Sequence, residues 1–347
     1  SFWAPRHRDF LPTSIRESGG LMPLSTALAQ VHFPENQASL ESARERLAFD
    51  EIFMLQMGVL SQKQSWQSAV GQVFTAPAEW LAQIEAGLPF ELTEAQKRAL
   101  SDIQGDLSSG KPMERLLQGD VGSGKTVIAA LAMATIAREG AQSALMAPTS
   151  ILAEQHYRSL LKLLSSDEPV ADKPFKPAEI RLLIGDTSAA EREEILSGLS
   201  DGQIKFLVGT HALIEEPVSF QRLQLAVIDE QHRFGVAQRA ALRNKGENPH
   251  LLVMTATPIP RSLALTVYGD LDLTVIDQMP VGRQPIETHI LMPLERERGY
   301  QLIRSQVKAG YQAFIIYPLV EKGERDDESK AAVEEHARLQ AEVFPHQ

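Results

Sequence analysis

The sequence Gly-Asp-Val-Gly-Ser-Gly-Lys-Thr at residues 119–126 limits the fold of this 347-residue chain more than any other feature. It fits the pattern Gly-x4-Gly-Lys-Ser/Thr, in which glycines let backbone amides turn inward around phosphate oxygens. The apolar pair Leu116-Leu117 precedes the loop, and an apolar helical segment begins at Val127. Because strand, loop and helix follow in the required order, we predict a phosphate-binding loop for a nucleoside triphosphate.

The residue types in this loop have separate tasks. Lys125 is expected to reach the β- and γ-phosphates, and Thr126 to offer its hydroxyl to Mg²⁺. The first turn of the following helix adds the positive end of its dipole. Contacts with the phosphates are also expected from four small residues, Gly119, Gly122, Ser123 and Gly124.

Short apolar runs alternate with helical stretches from about residue 90 onward. The runs lie at 145–147, 180–184, 206–208, 225–228 and 251–254, and each ends in small or polar residues. This alternation indicates an α/β domain, with a parallel sheet and helices on both of its faces. Ligands of such sheets bind where the strands end, so the motifs that follow these runs are expected to meet there.

An acidic motif, Asp-Glu-Gln-His, occupies residues 229–232 directly after the run at 225–228. Asp229 is expected to hold Mg²⁺ through water, and Glu230 to polarise the attacking water as a general base. For His232 two interpretations stay open: a histidine packed under the strand end, or a sensor of the nucleotide state. The Thr-Ala-Thr at 255–257 ends another apolar run, and its hydroxyls are expected to hydrogen-bond to the acidic motif.

Composition excludes several other kinds of protein. The chain has no cysteine, which rules out disulfides, thiol catalysis and thiolate metal sites. The longest apolar run, at 127–137, has 11 residues, whereas a bilayer span needs roughly 20. We therefore expect no membrane segment and, in the absence of a signal peptide, a cytoplasmic protein. The net charge of −11 argues against a broadly basic nucleic-acid surface but leaves room for a local basic track.

Three parts are expected along the chain. Residues 1–85 are assigned to a linker and a helical connector, because prolines interrupt 1–34 and none occurs in 35–66. A continuous helix over 35–66 would be about 48 Å long, and would act as a strut or docking helix or pack on its own domain. Residues 86–278 carry the motifs. Residues 279–347 are assigned to an interdomain linker, the start of a second domain and, from residue 321, a mobile acidic tail.

Two further strings complete the pattern: Asp-Glu-Gln-His-Arg-Phe-Gly at 229–235 and Met-Thr-Ala-Thr-Pro-Ile-Pro-Arg at 254–261. Together with the phosphate loop they resemble superfamily 2 helicases and translocases. The resemblance is narrower to the RecG family of bacterial DNA helicases, because Val-His-Phe-Pro at 31–34 and Ala-Arg-Glu-Arg-Leu-Ala-Phe-Asp-Glu at 43–51 are similar to its connector. It implies a RecA-like first motor domain, a truncated start of a second RecA-like domain, and a wedge domain missing before residue 1.

The same resemblance implies roles for further residues. Adenine recognition is implied for three residues, Phe90, Thr93 and Gln96. Contacts with the DNA backbone are implied for six, Pro148, Thr149, Gly209, Thr210, His211 and Arg233. Coupling between nucleotide and DNA is implied for Gln231, Thr255 and Thr257. Catalysis is implied for four, Lys125, Asp229, Glu230 and His232.

The function implied by the resemblance is ATP- and Mg²⁺-dependent translocation on double-stranded DNA, which remodels stalled replication forks and Holliday junctions in recombination and repair. The implied partners are branched DNA and a single-stranded DNA-binding protein, and the implied state is a monomer at the bacterial nucleoid. One alternative is a translocase similar to the transcription-repair coupling factor. Others are a small-molecule kinase or nucleotide-binding module, which the Thr-Ala-Thr element disfavours, and a binding scaffold.

Weak activity is expected of these residues alone. In superfamily 2 an arginine from the second motor domain stabilises the transferring phosphoryl group, and such an arginine is worth about a thousandfold or more in rate. It lies in a Gln-x-x-Gly-Arg-x-Gly-Arg string, which does not occur in this sequence. Arg283, which lies in the expected linker, is a weak substitute.

Overall fold

The computed structural model describes residues 3, 6–67, 70–168, 170, 172–230, 236–257, 271–280, 286–317 and 332–344. The chain forms two compact units, Ser1–Arg283 and Gln284–Gln347. None of the helices in the described part of the chain is both long and apolar enough to span a bilayer.

The larger unit is built on a parallel sheet. Its seven described strands are β1 (Glu114–Gly119), β2 (Gln142–Met146), β3 (Ile180–Leu183), β4 (Phe206–Gly209), β5 (Leu223–Asp229), β6 (His250–Thr255) and β7 (Asp272–Ile276). Their order across the sheet is β3-β4-β2-β5-β6-β1-β7, and each of these pairings is parallel. The prediction of an α/β domain with a RecA-like parallel sheet is confirmed.

The five short apolar runs identified from residue 145 onward coincide with β2, β3, β4, β5 and β6 to within one residue at their carboxyl ends, but β7 was not anticipated. Among the described strands it pairs with β1 alone, and its buried Thr274 and Ile276 flank the exposed Val275. A strand at the edge of the sheet has one covered side, so it needs no continuous apolar run and gives a weak signal in the sequence.

Helices cover both faces of the sheet. Three lie on one face: α5 (Glu94–Leu107), α6 (Lys125–Arg138) and α7 (Ser150–Leu164). Two lie on the other: α8 (Ala189–Ser200) and α9 (Val236–Arg243). All residues of α6 from 127 to 137 are buried, because the helix contacts β1, β2 and β5 as well as α5 and α7. The longest apolar run of the sequence is therefore a core helix.

The connector contains four helices: α1 (Thr13–Ser18), α2 (Leu24–His32), α3 (Gln37–Gln67) and α4 (Ala78–Ala86). The 31-residue α3 agrees closely with the helix predicted over 35–66. It packs against α2, and Lys63 Nζ near its end donates a 2.8 Å hydrogen bond to Asp272 Oδ1 at the start of β7. α3 thus runs from the connector to the edge of the sheet.

One fully buried cation, Arg46 on α3, holds the start of the connector in place. Its Nε lies 2.9 Å from Asp50 Oδ1, its Nη2 lies 2.6 Å from Asp9 Oδ1, and its Nη1 donates to the carbonyl of Met22 at 2.7 Å. The hydrogen bond from Arg46 holds the pKa of the Asp9 carboxyl well below its usual range. Arg46 lies within residues 43–51, the stretch that is similar to the RecG connector, and it joins α3 to the residues that precede it in the chain.

The smaller unit contains α10 (Arg296–Lys308) and α11 (Ala332–Arg338) in its described part. The start of a second RecA-like domain was expected at residues 288–292 and 313–320; residues 288–292 and 313–317 have no regular secondary structure, and 318–320 lie outside the described residues. The tail predicted to be mobile from residue 321 is described only at residues 332–344, and its mobility stays a prediction. There α11 continues into a π-helical turn, Leu339 is buried, and Arg338 Nη2 donates to the Tyr300 hydroxyl at 2.7 Å.

Candidate functional site

The strands bring the predicted motifs to one edge of the sheet. Gln118, just before the phosphate loop, is the register partner of Thr255, and Asp229 is the partner of Met254. On the other side of β5, Met146 pairs with both Ile228 and Gly209. The carboxyl ends of β1, β2, β4, β5 and β6 therefore open onto the same edge, as expected for ligand binding in such a sheet.

The phosphate loop has a conformation that only glycine allows at two positions. Gly122 and Gly124 have φ angles of +81° and +90°, which L side chains rarely adopt. A Cβ atom on Gly124 would also lie 2.1 Å from Gln96 Nε2, and one on Gly119 would lie 2.5 Å from Ser123 Oγ. The loop therefore needs glycine for two reasons: the backbone conformation at Gly122 and Gly124, and the close approach of neighbouring side chains at Gly119 and Gly124.

Lys125 folds back over the loop at the start of α6. Its Nζ donates to the carbonyl of Gly119 at 2.7 Å and to that of Asp120 at 3.1 Å. Burial lowers the pKa of Lys125, and the nearby carboxylates of Asp229, Glu230 and Asp120 partly offset that effect. A triphosphate in the loop would add negative charge beside the ammonium group and favour its charged form.

The segment assigned to adenine recognition is joined to this loop. Thr93 and Gln96 form a capping box at the start of α5, in which Gln96 Oε1 accepts from the Thr93 amide at 2.8 Å. The buried Gln96 side chain also donates from Nε2 to the carbonyl of Ser123 at 2.8 Å. An amide has two N–H bonds and two oxygen lone pairs, so Gln96 can make these bonds and still pair with N7 and N6 of adenine.

A cavity of about 550 Å³ opens between these elements. Eight of the predicted site residues line it: Phe90, Gln96, Gly122, Gly124, Lys125, Thr126, Asp229 and Glu230. Two more lining residues, Val121 and Ala256, lie within predicted motifs, and five were not indicated by the sequence: Leu152, Gln155, His156, Ser159 and Pro280. Phe90 is one of these lining residues and is 43% exposed.

The acidic motif meets the Thr-Ala-Thr element through the backbone. Glu230 Oε1 accepts a 3.4 Å bond from the Ala256 amide, and the Glu230 amide donates to the carbonyl of Met254 at 3.0 Å. The buried Thr255 hydroxyl accepts from the Thr257 amide at 3.2 Å, so it caps its own turn. The hydroxyl contacts predicted between this element and the acidic motif stay a prediction, because part of the motif is not described. Gln231, His232 and Arg233 lie outside the described residues.

The oxygen atoms at this site suit a magnesium ion. Thr126 and Asp229 come from different elements, yet both line the cavity beside the phosphate loop. The described residues contain no group of three or more His, Cys, Asp or Glu side chains able to hold a metal alone. Mg²⁺ in nucleotide sites usually takes one or two protein oxygens and completes its shell with phosphate and water. The donor set therefore fits Mg²⁺ bound together with a nucleotide.

The two segments assigned to the DNA backbone are neighbours. They follow β2 and β4, and the Ala147 amide donates to the carbonyl of Gly209 at 2.8 Å. Thr149 and His211 are exposed and Pro148 is half-buried, whereas Gly209 and Thr210 are buried. The Thr210 hydroxyl has no hydrogen-bond partner among the described residues. Thr149 Oγ1 accepts from the Leu152 amide at 3.3 Å and so caps α7.

The family model described as DEAD/DEAH box helicase matches residues 93–266, from the capping box of α5 to beyond the Thr-Ala-Thr element. The chain belongs to the DEAD/DEAH box helicase family. That stretch contains the phosphate loop, the acidic motif and both segments after β2 and β4. It therefore includes most of the residues that line the cavity.

Within this helicase family the chain is most informatively compared with RecG. The ATP-dependent DNA helicase RecG of Synechocystis sp. is 52% identical over 342 residues, covering 97% of this chain and 40% of that protein. RecG of Thermotoga maritima is 47% identical, covering 97% and 42%. A solved structure of RecG bound to a three-way DNA junction is 42% identical with a TM-score of 0.78, covering 97% and 43%. The resemblance to RecG is confirmed, and the chain spans about two fifths of these helicases.

Among the lining residues that the sequence did not indicate, His156 makes a contact with the acidic motif. His156 lies on the buried face of α7, in register with Ala153, Leu160 and Leu164, and its Nε2 is 2.7 Å from Asp229 Oδ2. A polar residue within the apolar stripe of an amphipathic helix was the available signal. Its partner lies 73 positions away, so no local pattern could reveal the contact.

Proposed function

We propose that this chain holds the ATP-binding half of a motor that hydrolyses ATP to translocate on and remodel branched double-stranded DNA. The observation that carries the proposal is the single cavity lined by the phosphate loop, the segment at 90–96 and both acids of the motif at 229–230. The relatives of this chain are named as ATP-dependent DNA helicases, and the solved structure of one relative is bound to a three-way DNA junction. A small-molecule kinase would also need a pocket for a second substrate, whereas ATP hydrolysis needs only the nucleotide and water.

The side chains that line the cavity divide the reaction among them. The loop amides and Lys125 bind and orient the β- and γ-phosphates, and Thr126 and Asp229 would hold Mg²⁺, which neutralises charge on the phosphates. Glu230 accepts a proton from water as the water oxygen bonds to the γ-phosphorus and the bond to the β-phosphate oxygen breaks. ADP leaves with that bridging oxygen, and phosphate leaves with the oxygen of water.

The DNA would run across the ends of β2 and β4. There Thr149 and His211 are exposed, and Pro148 is half-buried beside Thr149. Contacts from backbone amides and hydroxyls bind phosphates without reading sequence, as a translocase requires. We assign residues 1–85 to the connector, 86–278 to the first motor domain and 279–347 to the linker and the start of the second. We further propose a monomer at the bacterial nucleoid, with branched DNA and a single-stranded DNA-binding protein as partners.

Nucleotide binding by the chain tests the first part of this proposal. Lys125→Ala should abolish measurable binding of a fluorescent ATP analogue, because a charge-assisted contact with the triphosphate is lost. The matched control is Lys162→Ala. Lys162 is an exposed residue in the last turn of α7, and this variant should bind as the unaltered chain does. Equal affinity in both variants would refute the phosphate-loop assignment.

DNA structure tests the second part. In the natural protein, a synthetic fork should stimulate ATP hydrolysis more than a linear duplex with the same number of base pairs. Lys125→Ala should remove the stimulation by both. If the two DNAs stimulate equally and a stalled RNA polymerase is displaced, the protein is instead a translocase similar to the transcription-repair coupling factor.

A further inference from the structure

The contact between His156 and Asp229 joins α7 to the end of β5 inside the cavity. The two side chains are 9% and 11% exposed, and the histidine Nε2 lies 2.7 Å from the carboxylate Oδ2. An ionised carboxylate can only accept hydrogen bonds, so the Nε2–H of His156 is the donor. Hydrogen bonds to a charged acceptor are about twice as strong as neutral ones.

The position of this histidine is unusual for its helix. The other residues on the buried face of α7 are apolar: Ala153, Leu160, Leu163 and Leu164. A buried imidazole among them costs free energy unless it is hydrogen-bonded, and its bond goes to the carboxylate that faces the phosphate loop. Both partners line the same cavity as Lys125 and Thr126. The bond is therefore part of the nucleotide site and not only of the core.

We propose that His156 is a positioning residue that holds the Asp229 carboxylate in the orientation needed for Mg²⁺ bound with ATP. The inference rests on the proposed function, because it concerns the same nucleotide site. With Oδ2 held by the imidazole, the carboxylate group cannot rotate freely about its Cβ–Cγ bond. The carboxylate oxygen that would hold Mg²⁺ through water is therefore preorganised. Hydrogen-bond partners of metal ligands commonly contribute about 10- to 100-fold in metal affinity or activity.

Two substitutions separate the hydrogen bond from the volume of the side chain. His156→Leu fills similar space but cannot donate, whereas His156→Gln carries an N–H at the same reach as histidine Nε2. The matched control is Arg158→Gln, since Arg158 lies on the solvent side of α7, 77% exposed, and bonds only to Glu154 among the contacts described.

The measurement is the Mg²⁺ concentration that gives half-maximal binding of a fluorescent ATP analogue to the 347-residue chain. His156→Leu should raise that concentration about tenfold or more. His156→Gln and Arg158→Gln should stay close to the unaltered chain. Binding of the analogue in EDTA should change little in any variant, because His156 is proposed to act through Mg²⁺. A merely structural role would instead weaken binding with and without the metal alike.

A second measurement does not depend on nucleotide. Ring-nitrogen NMR of the chain should show His156 protonated at Nε2, with a resonance that moves in Asp229→Asn. A spectrum with Nε2 unprotonated would overturn the proposal, as would equal Mg²⁺ dependence in His156→Leu and the unaltered chain. If the unaltered chain binds no nucleotide, the proposed function fails and this inference fails with it. If it binds through Lys125 but ignores His156, only this inference fails.

Discussion

At the scale of single residues, Glu230 is where binding and hydrolysis separate. It follows the strand end with a φ of +52°, and its carboxylate reaches the cavity next to Ala256. We expect Glu230→Gln to leave binding of Mg-ATP nearly intact, since the side chain keeps its size and its acceptor oxygen. Hydrolysis should fall by about a hundredfold or more, because an amide cannot accept the proton of the attacking water. Single-turnover hydrolysis and analogue binding measure the two effects.

The comparison for this prediction is Asp229→Asn, which alters the neighbouring acid. That variant should weaken binding chiefly when Mg²⁺ is present, since Asp229 is assigned to the metal. If Glu230→Gln weakens binding as strongly as Asp229→Asn, the separate roles assigned to the two acids are wrong.

Gly124 offers a second test with a matched partner in the same fold. Both Gly124 and Gly140 have positive φ angles, +90° and +79°, but only Gly124 has a neighbour, Gln96 Nε2, where a Cβ would lie. Each change to alanine should cost roughly 1–2 kcal/mol of stability from the left-handed backbone. Only Gly124→Ala should also lower nucleotide affinity, because it displaces the amide that joins the adenine segment to the loop. Thermal unfolding and analogue binding, measured on both variants, decide it.

At the scale of elements, the connector depends on one buried ion cluster. Removing one partner from such a cluster usually costs about 3–5 kcal/mol, because it leaves charges without compensation. Arg46→Met should therefore destabilise the chain strongly near neutral pH, whereas Arg44→Met on the exposed side of α3 should not. Nucleotide affinity at permissive temperature should be unchanged in both, and denaturant unfolding of the two variants provides the measurement.

The same cluster predicts a pH dependence. The pKa of Asp9 is lowered in the folded chain, so its bond to Arg46 stabilises the fold above the ordinary carboxyl pKa. That stability is lost as the pH falls below about 4, where the unfolded chain binds the proton first. The difference in unfolding free energy between Arg46→Met and the unaltered chain should thus shrink in acid. A difference that stays constant from neutral pH to strong acid would contradict the assignment.

The elements also show what a sequence can and cannot reveal. The runs around Leu116 and Ile228 predict strands because both faces of those strands are buried, and the glycines of the loop predict its turn because no other residue fits. By contrast, β7 has only two buried residues, so it lacks the continuous apolar run of the inner strands. The helix at 332–338 is held by individual polar contacts such as that of Arg338 with Tyr300, which leave no apolar periodicity in the sequence. Pairings such as His156 with Asp229 arise only when distant elements meet.

At the scale of the whole molecule, the net charge of −11 means that DNA would not be attracted by the protein as a whole. We propose that attraction comes instead from the local surface at the ends of β2 and β4. We expect weak binding to DNA without sequence preference, because the contacts assigned there go to phosphates. The affinity should fall steeply with salt, by a log–log slope of about −0.9 for each phosphate neutralised on duplex DNA.

This expectation can be measured by fluorescence anisotropy with two duplexes of equal length and unrelated sequence, from low to physiological salt. Both should bind with the same affinity at every salt concentration, and their slopes should be equal because the number of phosphates contacted is the same. Replacing the exposed His211 with Asp places a negative charge at the proposed DNA surface and should weaken both duplexes alike. Gln203→Glu, an exposed change that adds a negative charge before the start of β4, at the opposite edge of the sheet, is its control. A preference for one sequence, or an affinity insensitive to salt, would show that the DNA is held by base contacts and not by its backbone.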